Sequence, residues 1–315
     1  MTTVAVVAHT GKTTGGGLIE LRRRLAEEGV TEPLWFEVSK SKRAPKRVRR
    51  AMDAGADLVL VWGGDGMVQR CVDALAGSDT AMAVVPAGTA NLFATNLGIP
   101  QHIAGAVRVA MRGSRTRLDV GRINGERFAV MAGVGVDALM IRDADAGLKN
   151  RIGKLAYVVT GASGIRVPPF RARVKVDRTL WFDGDVSSVL MGNVGTIMGG
   201  IEAFDHARPD DGLLEIGVVT ADGALEWVRT LGRAAVGTTA RSPFVQTMSG
   251  RRVRIKLDRE MPYELDGGDR PATRSLKIDV EAAAVIVCVP PSSAFATRGT
   301  GTPAAAAIGE TGGRS

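Results

Sequence analysis

The chain has 315 residues, 45% apolar and 23% charged, with a net charge of +8 at pH 7. That length exceeds what one core usually fills, so two domains are expected, of globular rather than disordered or fibrous composition. Two cysteines exclude a disulfide framework or a cysteine-based metal cluster, and the longest apolar stretch, Phe128 to Ile141, is interrupted by Asp137 and too short to span a bilayer.

Thr3 to Ala8 (TVAVVA) reads as a first strand with no basic leader before it, which is the reading of a cytoplasmic protein. The turn that follows, His9 to Gly17, is polar and Gly-rich. Its Gly-Lys-Thr is not a P-loop, because that motif needs glycine where Val6 stands. The turn still suits phosphate, with Lys12 as a source of charge. A helix is expected up to Gly29, with Leu18, Leu21 and Leu25 as its apolar face, then a strand from Leu34 to Val38. Pro45 opens a helix reaching Gly55. The run Lys40, Lys42, Arg43, Lys46, Arg47, Arg49 and Arg50 contains no acid, and Arg22 to Arg24 form a second basic cluster. A solvated face, a nucleic-acid patch and a membrane-surface patch all fit such a run. No aromatic residue interleaves it and no RNA-binding or zinc-finger motif accompanies it, which ranks nucleic acid last.

Leu58 to Trp62 is a continuous apolar run, as expected of a strand buried on both faces. Gly63-Gly64-Asp65-Gly66 then breaks it, and a helix follows with Val68, Val72 and Leu75 on one face and Gly77 just past its end. Strand, Gly-rich turn and helix start make a site for phosphate, with Asp65 placed to meet a cation or substrate. Met82 to Val85 is a fourth strand, ending in Pro86 to Ala94, where Gly88, Thr89 and Asn91 offer backbone, hydroxyl and carboxamide. Ligands bind at the carboxyl ends of strands in open α/β sheets, so the two turns point into one crevice. Strand and helix alternate through about residue 113, which argues for a doubly wound parallel sheet.

The pattern then changes. Asn124-Gly125 is a hairpin signal, and a helical patch is expected from Asp137 to Ile165, with Gly161 to Gly164 ending a helix. Short strands follow at Ala172–Val176, Val186–Val194, Leu213–Thr220, Val253–Leu257, Leu276–Val280 and Ala284–Val289, with a helix near Leu225–Val236. The division read from this is 1–118 as an α/β domain, 119–289 as a β-rich sandwich, a segment near 290–297 returning to the first domain, and a disordered tail at 298–315. Cys71 and Cys288 read as core, and His9, His102 and His206 receive no role.

GGDG with VVPAGTANLFATNLGIP, followed in order by RLDVGRINGERFAVMAGVGVDA, GKLAYVVTGA, VLMGNVGTIMGG, RPDDGLLEIGVV and YELDGG, resembles the diacylglycerol kinase family, which includes soluble bacterial lipid kinases and sphingosine kinases. The resemblance covers roughly residues 3–290 and implies an NAD kinase- and phosphofructokinase-like α/β domain followed by a β-sandwich. It implies an ATP site at Gly63, Gly64, Asp65, Gly66, Met67, Val68 and Gln69, with Gly88, Thr89 and Asn91 beside it. Thr10, Gly11 and Lys12 match the family's first phosphate turn, with Ala8-His9 where Asn-Pro is usual, and Ser39 is the nearest match to a hydroxyl after the second strand. A Mg²⁺ loop is implied at Asp211, with backbone oxygens of Arg208 and Leu213, and Asp119 as the carboxylate linking that loop to Asp65. The family's catalytic Asp-Gly-Glu matches Asp266-Gly267-Gly268, so its glutamate is absent; Met67 replaces a threonine and Leu92 a frequent aspartate.

These implications amount to an ATP- and Mg²⁺-dependent lipid kinase, with diacylglycerol as acceptor and Asp266, at an unobstructed hairpin tip, as general base beside Asp65. The partners expected are a membrane lipid, an anionic membrane surface at the cytoplasmic face of the inner membrane and a second copy in a homodimer, with no nucleic acid. Two alternatives stay open: a kinase of another acceptor, such as a long-chain base or NAD, and a catalytically weak nucleotide-dependent binding protein.

Overall fold

Four apolar runs become four parallel strands: β1 (Val4–His9), β2 (Leu34–Val38), β3 (Leu58–Gly63) and β4 (Ala81–Pro86), in the spatial order β4-β3-β1-β2. The computed structural model describes residues 2–135, 168–197, 201–221 and 242–291, together with Glu226 and Arg233. The helical patch expected at Asp137–Ile165, the Gly161–Gly164 turn and the tail from Arg298 lie outside these residues, as does the helix near Leu225–Val236 apart from Glu226 and Arg233, both helical.

β3 and β4 are buried along their whole length, and so is β1 up to Ala8, because helices cover both faces of the sheet. Helices α1 (Gly17–Glu27) and α5 (Ile103–Arg112) pack against each other, as do α2 (Ala44–Asp53) and α3 (Asp65–Leu75). A short helix, α4 (Leu92–Asn96), follows β4. The helix faces fall as their periodicity predicts: Leu21 and Leu25 of α1 are fully buried, as are Val72 and Leu75 of α3, while Gly77 takes a left-handed φ of 81° just past the end of α3.

A second core lies among antiparallel strands. They are β5 (Ser114–Ile123), β6 (Glu126–Phe128), β7 (Met131–Gly135), β8 (Phe170–Val176), β9 (Thr179–Val186), β10 (Ser188–Gly192), β13 (Leu214–Val219), β14 (Val245–Gly250), β15 (Arg252–Leu265) and β16 (Gly268–Val289); the short β11 (Thr196–Ile197) and β12 (Ile201–Glu202) pair separately. Phe128, Val134, Phe170, Ile216, Ile255, Tyr263 and Ile278 belong to this β-sandwich core, apart from the core of the parallel sheet. Asn124 and Gly125 form the expected β5–β6 turn, with φ of 49° and 98°, the left-handed pair that a type I′ hairpin needs.

Two expected strands, Leu276–Val280 and Ala284–Val289, are one strand. β16 runs antiparallel to β5 through both, with a register shift between Glu281 and Val285 where Ala283 adopts φ 51°. Its far end pairs in parallel with β4 at Val287 and Met82; of the segment near 290–297 expected to return to the first domain, residues 292–297 lie outside the described residues. The strand expected at Val186–Val194 is divided between β9 and β10, and buried Ser187 between them gives its N–H to the Val219 carbonyl at 2.8 Å.

Candidate active site

A cavity of about 440 Å³ opens where the carboxyl ends of β1, β3 and β4 meet the turn between β15 and β16. Its floor is made by two glycine turns in direct contact. A Cβ on Gly88 would lie 2.6 Å from the Gly64 Cα and 2.7 Å from Asn91 Oδ1, so both positions admit only a bare backbone. Gly63 is required for another reason: a Cβ there would meet Met67 Cβ at 2.8 Å. Asp65, Gly66 and Met67 open α3 on one side of the floor, and Thr89, Ala90 and Leu92 lie on the other. The Asp65 carboxylate bridges the two, accepting the Phe93 N–H through Oδ1 at 3.2 Å. Burial raises its proton affinity, and the backbone N–H groups of Phe93, Leu92 and Asn91 offset part of that rise.

The β1 end contributes His9, Gly11 and Lys12. Thr10 is turned back to β2, its N–H donating to the Val38 carbonyl at 3.0 Å, and does not line the cavity. The hydroxyl after β2 that lines the cavity belongs to Ser41 rather than Ser39.

The β15–β16 turn brings Glu264, Asp266 and Gly267 to the same cavity. Asp266 and Gly267 take left-handed φ values of 45° and 79°, again the pattern of a tight hairpin. This turn is not the open tip expected of Asp-Gly-Gly. Asp266 is 8% exposed, and its carboxylate accepts three consecutive N–H groups: Ala129 at 2.8 Å, Val130 at 2.9 Å and Met131 at 2.9 Å. Burial pushes its pKa up to about 6 against these bonds, and the charge of Asp65 adds to the rise. Glu264 is fully buried, and its Oε2 accepts the Gly267 N–H at 2.8 Å. The signal that could have found it is its place two residues before the Asp-Gly hairpin turn, where its carboxylate can reach the Gly267 N–H.

Three residues expected at the nucleotide site stand behind it. Val68 is buried in the core. Gln69 is buried and donates to the Arg127 carbonyl at 2.6 Å, tying α3 to β6. Glu126 of β6 in turn pairs with Arg270 of β16, which holds Glu126 below the usual carboxylate range. Asn91 closes its own turn, accepting the Gly88 N–H at 2.8 Å and donating to the Gly88 carbonyl at 3.0 Å.

Away from the cavity, the 208–213 loop is held by Asp119. Its Oδ2 accepts the Gly212 N–H at 2.6 Å and its Oδ1 the Ala283 N–H at 2.7 Å, so one carboxylate fixes both this loop and the bulge of β16. Asp211 accepts the Leu213 N–H at 2.9 Å, and Arg208 pairs with Asp210 at 3.1 Å. Burial raises the proton affinity of Asp119 and Asp211, and negative neighbours add to it: Asp211 and Asp210 for Asp119, Asp210 for Asp211. Among the described residues no three His, Cys, Asp or Glu side chains gather as a metal site. The donors here, one accessible carboxylate with backbone oxygens, fit a hard cation that keeps part of its water.

Comparison with known proteins agrees with this architecture. The model of the diacylglycerol kinase catalytic domain matches residues 3–123, and that of the YegS C-terminal NAD kinase β-sandwich-like domain matches residues 130–289. The protein named Probable lipid kinase YegS-like from Stenotrophomonas maltophilia is 31% identical over 239 residues, covering 69% of this chain and 76% of its own. The diacylglycerol kinase of Bacillus subtilis is 28% identical over 219 residues, covering 67% and 71%. A crystal structure of a diacylglycerol kinase from Bacillus anthracis superposes with a TM-score of 0.76 at 22% identity, covering 92% of this chain and 97% of that one, and shares its fold. The fold extends, at TM-score 0.51 and 11% identity over 92% and 83% of the two chains, to yeast NADH kinase. Matched in order along most of its length, the chain belongs to the lipid kinase family that joins a diacylglycerol kinase catalytic domain to a YegS-type β-sandwich.

Proposed function

We propose that the protein transfers the γ-phosphoryl group of ATP to the hydroxyl of a membrane lipid, with diacylglycerol as acceptor and phosphatidic acid as product. The observation that carries this reading is the convergence of Lys12, Asp65 and Asp266 on one cavity, from two strand ends of the parallel sheet and a turn of the β-sandwich. ATP lies with its phosphates over the Gly64–Gly88 floor, where backbone can approach closely and the start of α3 favours negative charge. Asp266 takes the hydroxyl proton as the lipid oxygen bonds to the γ-phosphorus and the bond to the β-phosphate oxygen breaks, leaving ADP. Mg²⁺ would be held by Asp211 and the backbone oxygens of Arg208 and Leu213, where it would brace the loop that Asp119 anchors, while Lys12 and the backbone N–H groups of the glycine turns meet the phosphate charge in the cavity.

The acceptor resides in a bilayer, and among the described residues no helix is long and apolar enough to cross one. The run Lys40, Lys42, Arg43, Lys46, Arg47, Arg49 and Arg50 supports peripheral docking. All of these are exposed except half-buried Arg47, and none makes an ion pair among the described residues. Ser41, inside this run, lines the cavity, so a surface that draws anionic headgroups adjoins the site. The test is incubation with γ-labelled ATP and Mg²⁺ across diacylglycerol, a long-chain base and NAD. Label in phosphatidic acid is the expected result. Label only in another acceptor reassigns the substrate, and no transfer to any of them contradicts the kinase reading.

A further inference from the structure

His9 has no part in the transfer outlined above, yet it lines the cavity at the end of β1 beside Gly11 and Lys12. Its Nδ1 accepts the Gly11 N–H at 3.1 Å, and its carbonyl accepts the Lys12 N–H at 3.2 Å. A ring nitrogen that accepts a hydrogen bond carries no proton, so in the neutral ring the proton is assigned to Nε2. The ring also lies close against the turn: a Cβ on Gly11 would sit 3.3 Å from its Cε1 and 3.4 Å from its Nδ1. One hydrogen bond therefore sets both the orientation of the imidazole and the position of its remaining donor.

The charge of the cavity gives that donor a use. Among the described residues Lys12 is the lone cation of the lining, against the carboxylates of Asp65, Glu264 and Asp266. A polyphosphate seated there needs neutral N–H and O–H donors, and hydrogen bonds to charged oxygens are stronger than neutral ones. Ser41 and Thr89 offer hydroxyls that rotate freely, whereas His9 offers an N–H already fixed.

We propose that His9 is a ligand of the nucleotide polyphosphate, donating its Nε2–H to a phosphoryl oxygen; this rests on the ATP site described under the proposed function. The test is equilibrium binding of ATP, inorganic tripolyphosphate and adenosine to the full-length protein in Mg²⁺ buffer, for the wild type, His9→Ala and His9→Asn. Melting curves check that each variant is folded. Asparagine keeps an acceptor for the Gly11 N–H through an Asx turn but lacks the ring donor, so it separates shaping the turn from touching the ligand. Both variants should lose about tenfold or more in affinity for ATP and tripolyphosphate, with adenosine unchanged. If His9→Asn binds ATP like the wild type, or adenosine weakens alongside ATP, His9 shapes the turn only and the inference is overturned. A wild type that binds tripolyphosphate with the same His9 dependence, but not ATP, would uphold the contact and remove the nucleotide reading instead.

Discussion

Replacing Asp266 by asparagine tests the proposed chemistry most sharply, because that carboxylate has a structural job in the fold and a separable one proposed for it in the transfer. As an acceptor of three N–H groups it ties the β15–β16 turn to residues 129–131, and as a buried base with a pKa near 6 it is matched to proton transfer close to neutral pH. Asparagine tolerates the left-handed φ of 45° and its carbonyl can still serve Val130 and Met131. Its amide then faces the Ala129 N–H, a donor against a donor, at a cost of about 1–3 kcal/mol in stability. General-base help is worth roughly 10²–10⁴-fold, so kcat should fall by that much with little change in the KM for ATP. The neighbouring Asp269 is exposed, and Asp269→Asn should change kcat less than about twofold. A base must be ionised, so wild-type kcat should rise with pH through about 6, higher than an ordinary aspartate near 4, and the Asn variant should lose that limb. The stability signature has the opposite sense. Between about pH 4 and 6 the folded chain holds a proton that the unfolded chain has released, so this group makes stability fall as pH rises, and the variant should flatten that slope. The assay is lipid phosphorylation at saturating ATP across pH 5–9, with denaturant melts at the same pH values. Turnover within a few-fold of wild type in a folded Asp266→Asn protein would rule out Asp266 as the base.

Other consequences can be checked independently. Gly88→Ala places a methyl group 2.6 Å from the Gly64 Cα, so it should lower stability by about 1–3 kcal/mol and weaken ATP binding; a variant matching wild type in both would mean the two turns are not packed together in solution. Asp211→Asn keeps an acceptor for the Leu213 N–H but removes the charge, so the Mg²⁺ needed for half-maximal activity should rise; identical titrations would leave Asp211 as a turn residue. Neutralising Lys40, Lys42, Arg43, Lys46 and Arg47 together should weaken sedimentation with anionic vesicles at low salt, each charge being worth about 1 kcal/mol near such a surface, and equal sedimentation would make the run a solvated face.

Local signals in the chain were read well where one residue type has one physical use. Asn124-Gly125 announces a type I′ hairpin, and the unbroken apolar runs at residues 58–62 and 82–85 announce strands covered on both faces. The glycines of the turns after β3 and β4 were legible as close-approach positions, although that Gly64 and Gly88 approach each other is a tertiary fact. What escaped was long-range. The acid-to-alanine stretch at 281–283 looked like a gap between strands, but it belongs to a bulge whose Ala283 N–H is taken by Asp119, far away in sequence. Gln69 and Asn91 carry polar groups that suit a ligand, and the structure spends them on Arg127 and Gly88. Asp266 was legible as a residue of a tight turn but not as a buried one lining a cavity, because the three N–H groups that hold it come from residues 129–131.

In the proposed reaction the cavity that Asp65 lines couples ATP cleavage to lipid phosphorylation. The direct measurement is ADP and phosphatidic acid formed in one reaction, with dispersed diacylglycerol, Mg²⁺ and either wild type or Asp65→Asn, with folding of both verified by melting. Equal molar yields of the two products are expected for the wild type and loss of both in the variant, which keeps an acceptor for the Phe93 N–H but not the charge. ADP without phosphatidic acid, or undiminished transfer by the folded variant, would contradict the proposed reaction.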